Sequence, residues 1–96
     1  MVLKKTSMTC YIVAFQIRRP ETMQGMVRTL ESFDKQCQIN ATCWAVVTDG
    51  KASELRDRLK QAAEPGDRIF VIRSGTAGAW TNAISKQHSE WLKENL

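Results

Sequence analysis

The stretch from Cys43 to Trp80, CWAVVTDGKASELRDRLKQAAEPGDRIFVIRSGTAGAW, reads as strand, helix and strand with a turn signal at each joint, and it constrains the fold more than any other part of the chain. Trp44 to Thr48 is apolar and β-branched. The period then turns helical through Ala52, Leu55, Leu59 and Ala62, Pro65-Gly66 makes a turn, and Ile69 to Ile72 is apolar again. A chain that alternates in this way builds a sheet with helices laid across it.

The segment before it repeats the pattern. Cys10 to Ile17 carries Tyr11, Val13, Phe15 and Ile17 on one face and Ile12, Ala14 and Gln16 on the other, so Gln16 is the only polar side chain in an otherwise apolar run. A strand apolar on both faces is central in a sheet whose second face is also covered, by helices or by a partner chain. Arg18-Arg19 ends it, and Pro20 suits the first turn of a helix, where its missing donor costs nothing. Met23, Met26, Val27, Leu30 and Phe33 then form one apolar stripe that ends near Lys35. Gln38 to Thr48 reads as a hairpin or a long bulged strand, with Asn40-Ala41 the turn or irregularity. Thr48 or Asp49 is positioned to cap the second helix, which carries Lys51, Glu54, Arg56, Asp57, Arg58 and Lys60 outward, a pattern usual for a solvated face. After Gly75-Thr76-Ala77-Gly78, a last amphipathic segment puts Ile84, His88, Trp91, Leu92 and Asn95 on one side and should dock on the body, with Trp91 as its buried anchor.

The order strand, helix, strand, strand, helix, strand is the split pattern of α+β ferredoxin-like folds: a βαββαβ antiparallel sheet with helices on one face and, here, an extra C-terminal helix. Residues 1–96 make a single domain of this kind, since the length leaves no room for a second core. With the first and third strands read as parallel central strands, Gln16 and Arg18 are expected near Thr48 and Asp49, and Asp67 and Arg68 at the same edge. Arg18 with Arg68 would then suit a phosphate clamp, although strand ends collect such residues as caps and rim ion pairs more often than as ligands.

Composition narrows the function classes. With 43% hydrophobic and 25% charged residues and no long apolar run, a membrane span is excluded, and the start Met1-Val-Leu-Lys-Lys-Thr lacks a secretory core, so a cytoplasmic location is expected. Cys10, Cys37 and Cys43 are odd in number and lack a CxxC spacing, which suits buried thiols better than disulfides or zinc. His88 is the only histidine and has no assignable acid-base partner. The loop Ser74-Gly-Thr-Ala-Gly-Ala matches neither the P-loop nor the dinucleotide fingerprint, and ATCWAVVTDG lacks the glycine-aromatic signature of RNA-recognition modules. No catalytic residue, cofactor or metal site is assigned. The net charge of +4 modestly favours an anionic partner.

On CYIVAFQIRRP, TCWAVVTDGKASELRDRLK, DRIFVIRSGTAGAW and SEWLKENL, the chain resembles the SinR-like family of small bacterial proteins, grouped with the small CRISPR-associated (Cas-two-like) endoribonuclease superfamily. The resemblance implies a homodimer, a link to RNA or DNA, and in nuclease-competent relatives a metal-binding aspartate at the end of the first strand. That position is Gln16 here, with Asp49 the possible substitute carboxylate. A neutral amide supplies neither the charge a magnesium site needs nor a base, so metal-dependent nuclease activity is not expected.

Two readings follow. The first is a small dimeric nucleic-acid-associated protein without metal-dependent nuclease activity, in which Arg18, Arg19, Lys51, Arg56 and Arg68 meet phosphates. The alternative is a protein–protein interaction module, antitoxin-, immunity- or defence-related, that uses the open sheet face or an edge strand and needs no nucleic acid.

Overall fold

The computed structural model describes residues 8–75 and 77–96; the basic pair Lys4-Lys5 and Thr76 of the glycine loop lie outside them. The elements run β1 (Thr9–Gln16), α1 (Pro20–Glu31), β2 (Lys35–Asn40), β3 (Cys43–Thr48), α2 (Ala52–Lys60), β4 (Arg68–Arg73) and α3 (Lys86–Asn95). The four strands form one sheet in the order β2-β3-β1-β4, antiparallel at every junction. This is the α+β ferredoxin-like arrangement with an added C-terminal helix.

β1 is central because both of its faces are apolar, and the two faces divide the core. On one, Tyr11, Val13 and Phe15 join Trp44 and Val46 of β3 under Met26 and Leu30 of α1 and Leu55 and Leu59 of α2. On the other, Cys10 joins Cys37, Ala45 and Val47 under Leu92 of α3, with Ile12, Ile39 and Trp91 packed around them. α3 thus covers the β2–β3 half of the second face. It leaves the β1–β4 half open, where Phe70 and Ile72 are 61% and 45% exposed.

The register corrects one expectation. β1 and β3 are antiparallel, with Thr9 opposite Thr48 and Ala14 opposite Cys43, while Gln16 lies opposite Arg68 on β4. The short β2–β3 turn reverses the chain, so the third strand must run against the first. Thr48 and Asp49 therefore sit at the opposite end of the sheet from Gln16 and Arg18.

Boundaries shift for local reasons. α1 stops at Glu31 rather than near Lys35, because Phe33 reaches the core from the turn after the helix and mimics a further helical position. β2 consequently starts at Lys35, with Cys37 and Ile39 packed toward α3, and a bulge between Gln38 and Asn40 leads into the turn, where Asn40 Oδ1 accepts from the Thr42 amide at 2.9 Å. α2 is capped neither by Thr48 nor by Asp49: Lys51 is its N-cap, and the Glu54 carboxylate accepts from the Lys51 amide at 2.7 Å. Ser85 caps α3 by accepting from the His88 amide at 3.1 Å. Among the described residues no helix is long and apolar enough to cross a membrane.

In α3 the buried anchor is Leu92, at 3% exposure, whereas Trp91 is half-buried. Leu92→Ala should therefore cost about 2–5 kcal/mol of stability, the range for a core leucine, and Trp91→Ala less. Urea denaturation of the two variants checks this order; an unchanged midpoint for Leu92→Ala would mean that α3 is peripheral.

Candidate functional site

The end of the sheet where β1 leaves and β4 enters is organised by the turn Glu64-Pro65-Gly66-Asp67. Proline sets the first central φ, Gly66 supplies φ +91°, and the Asp67 amide closes the turn on the Glu64 carbonyl at 3.0 Å. A Cβ at Gly66 would lie 3.0 Å from Arg18 Nη2, so the guanidinium would have to give way slightly, and the positive φ is what calls for glycine here. The Arg18 guanidinium donates to the Pro65 carbonyl at 2.7 Å and pairs with Asp67 at 3.5 Å. The turn thereby ties the exit of β1 to the entrance of β4.

Asp67 is the hub of this turn. Its side chain is 2% exposed and accepts from the amides of Glu64 (2.9 Å) and Arg18 (3.3 Å). The Glu64 amide first, and then the Arg18 amide and guanidinium, hold its carboxyl below the usual value of 3.8, against the opposing effect of desolvation.

The cations expected to meet nucleic acid are distributed unevenly. Arg18 and Arg68 lie at this end, with Arg68 Nη1 donating to Gln16 Oε1 at 3.4 Å, and Arg19 is close by, paired with Glu21 at 3.7 Å and Glu64 at 3.6 Å. Arg56 holds Asp57 at 2.9 Å and lines, with Lys60, Glu64 and Asp67, a cleft of about 590 Å³ of mixed charge. Lys51 belongs to the opposite end, at the start of α2. Arg18, Arg19 and Arg56 thus each have a carboxylate partner, which offsets much of the positive field these positions promise in the sequence. Asp49 lines a separate cleft with Phe33, Glu54 and Arg58 at the far end, so it stands well away from Gln16. Among the described residues no group of three or more His, Cys, Asp or Glu side chains is placed to hold a metal ion.

The thiols offer little reactivity. Burial pushes Cys10, Cys37 and Cys43 upward, with a hydrogen bond to Ser74 partly countering it at Cys10, so all three favour the thiol over the nucleophilic thiolate. All three are free.

The feature that sequence reasoning missed lies on β4. Ile69 and Val71 pack into the helix-covered core, while Phe70 and Ile72 share the opposite face with Ala14 and Ile12. Because RIFVIR is apolar on both sides, no alternation marks which residues face out. Among the described residues β4 is also an unpaired edge of the sheet. Comparison with protein-family models, curated proteins and solved structures returns no match.

Because the Asp67 carboxyl is held low in the folded state, its network adds stability above the unfolded-state value and loses it as the pH falls through the folded-state one. Asp67→Asn should lower the melting temperature at neutral pH, and the gap to the unaltered protein should close as the pH drops below 3.8. Thermal melts across the acid range check this; a gap that persists at the lowest pH would assign the loss to packing instead.

Proposed function

We propose that this chain is a protein-interaction module whose partner is a second copy of itself, joined along β4. The observation that carries the reading is the exposure of Phe70 and Ile72 on an edge strand that has no further partner among the described residues, beside the part of the sheet that α3 leaves uncovered. Burying them removes apolar surface from water and satisfies the free backbone groups of the edge.

The backbone supports a second copy as the occupant. Ser74 N donates to the Cys10 carbonyl, which continues the β1–β4 ladder and leaves the backbone groups of Ile69, Val71 and Arg73 pointing to the free edge. A two-fold axis normal to the sheet at Val71 sets Val71 opposite Val71 of the second copy, Ile69 opposite its Arg73, and Phe70 opposite its Ile72. These outward groups then pair with one another. Phe70 and Ile72 form an apolar cluster on the open face, and no arginine faces another arginine.

A nucleic-acid role is the second reading, and one observation favours it. Arg68 and Phe70 lie two residues apart on the open face, and among the described residues no carboxylate pairs with Arg68. An arginine beside an exposed ring is the kind of pair on which single-stranded bases stack.

Sedimentation velocity at micromolar concentration should show a dimer, and Phe70→Glu should yield a monomer with an unchanged far-ultraviolet circular dichroism spectrum. A monomer for the unaltered chain would overturn the reading.

Magnesium or manganese should not support cleavage of RNA or DNA, because Gln16 is a neutral amide and Asp67 is committed to its turn. Labelled RNA and DNA incubated with each metal test this. Cleavage that survives purification and that a chelator abolishes would contradict it. Anisotropy across a salt series separates the two readings: a steep slope that Arg68→Ala reduces favours nucleic acid.

A further inference from the structure

The outer groove between α1 and α2 opens into a cleft of about 540 Å³ lined by Gly25, Arg28, Thr29, Ser32, Arg58 and Gln61. Two arginines share it and, among the described residues, no carboxylate pairs with either. Glu31, three positions after Arg28, belongs instead to the cleft between β2 and α3, and Glu54, four before Arg58, accepts from the Lys51 amide. Like charges gathered without a counter-charge repel, and an anion placed between them relieves the repulsion.

Arg58 is oriented in advance. Its guanidinium carbon lies 4.1 Å from the centre of the Phe33 ring, and its Nη2 donates to Ser32 Oγ at 3.0 Å. The Ser32 hydroxyl in turn donates to the Thr29 carbonyl, which fixes its oxygen as the acceptor. Stacking occupies the flat face of the guanidinium and leaves the other edge donors free, so less side-chain freedom is lost when the fork takes an anion.

Gly25 supplies an independent observation. It sits in the middle of α1, where glycine is the poorest helix former after proline, yet nothing in the fold needs the missing side chain: a Cβ there would meet only Arg28 Nη2, at an ordinary 4.0 Å. The bare backbone gives the cleft an open floor beside the Arg28 guanidinium.

We propose that this cleft binds a phosphate dianion, free or as a monoester, held between Arg28 and Arg58 over Gly25. A carboxylate fills one guanidinium fork, whereas a phosphate has enough terminal oxygens to bridge two. The Gln61 amide adds a neutral donor, and the volume exceeds what a free phosphate fills, leaving room for an esterified group. The site is on the helix-covered face, the reverse of the one that carries Phe70 and Ile72, so it does not depend on pairing along β4.

Arginine Nε–H correlation NMR of the full chain at constant ionic strength, titrated with inorganic phosphate, glycerol 3-phosphate and acetate, tests the proposal. Both phosphates should shift the Arg28 and Arg58 resonances saturably, while Arg56, which holds Asp57, stays in place and acetate moves neither cleft arginine. Tighter binding of glycerol 3-phosphate assigns the site to a monoester, and equal binding assigns it to the free ion. Arg58→Lys, which keeps the charge and removes the fork, should weaken binding about tenfold. Gly25→Ala should raise the melting temperature of the unliganded protein and yet weaken phosphate binding, a combination that a merely structural glycine would not give. Shifts that never saturate, that acetate reproduces, or whose midpoints Arg58→Lys and Gly25→Ala leave unchanged would overturn the proposal.

Discussion

The strand β1 is the constraint on which the rest of this structure depends. Among the described residues it is the only strand besides β3 with a neighbour on both sides, and it is apolar on both faces, so each layer of the molecule is defined by what packs on it. Val13 is fully buried beneath the two helices. Ile12, on the reverse face, marks the line where α3 stops and the open half of the sheet begins. The ends of β1 matter as much as its faces. Tyr11 fixes one end by donating its hydroxyl to the Gly50 carbonyl at 2.7 Å, just before α2, and Arg18 fixes the other by gripping the Pro65–Asp67 turn just after it. Both ends of the α2 crossover are therefore tied to the strand it packs on.

Much of this architecture was legible because local and tertiary preferences agree. The period switch through Thr48, Ala52, Leu55 and Leu59 shows the β3–α2 joint, and Pro65-Gly66 shows the turn that the structure closes. The failures have physical causes. Phe33 extended the apolar stripe of α1 because a residue in a turn can fill a core position that a helix would also reach. The β2 strand was hidden by Lys35, Gln36 and Gln38, whose polarity is tolerated because β2 is an edge strand. The predicted cluster of Gln16, Arg18, Thr48, Asp49 and Arg68 divided between the two ends because strand direction follows from connectivity, and composition gives no hint of it. Gln16, Arg18 and Arg68 remained together.

The candidate sites were the least legible part. Phe70 and Ile72 read as core, since nothing in an apolar hexapeptide says that one of its faces lacks cover. Conversely, the arginines that stand out in the sequence are largely neutralised in space. Arg19 meets Glu64 across 45 positions and Arg18 meets Asp67 across 49, pairings that only the folded chain creates.

The two borders of the sheet differ in a way that bears on solubility. β4 is regular, apolar and free of proline, with arginines only at its ends, whereas β2 is kinked by its bulge and studded with lysine, glutamine and asparagine. A border of the first kind recruits further strands, and one of the second kind discourages them. Two copies joined through their smooth borders would present only rough ones to the solvent, so growth stops at a pair instead of running on into a fibre. The asymmetry thus acts as a chain terminator: the irregularity next to Asn40, at the far side of the sheet, limits what the attractive edge on β4 can assemble.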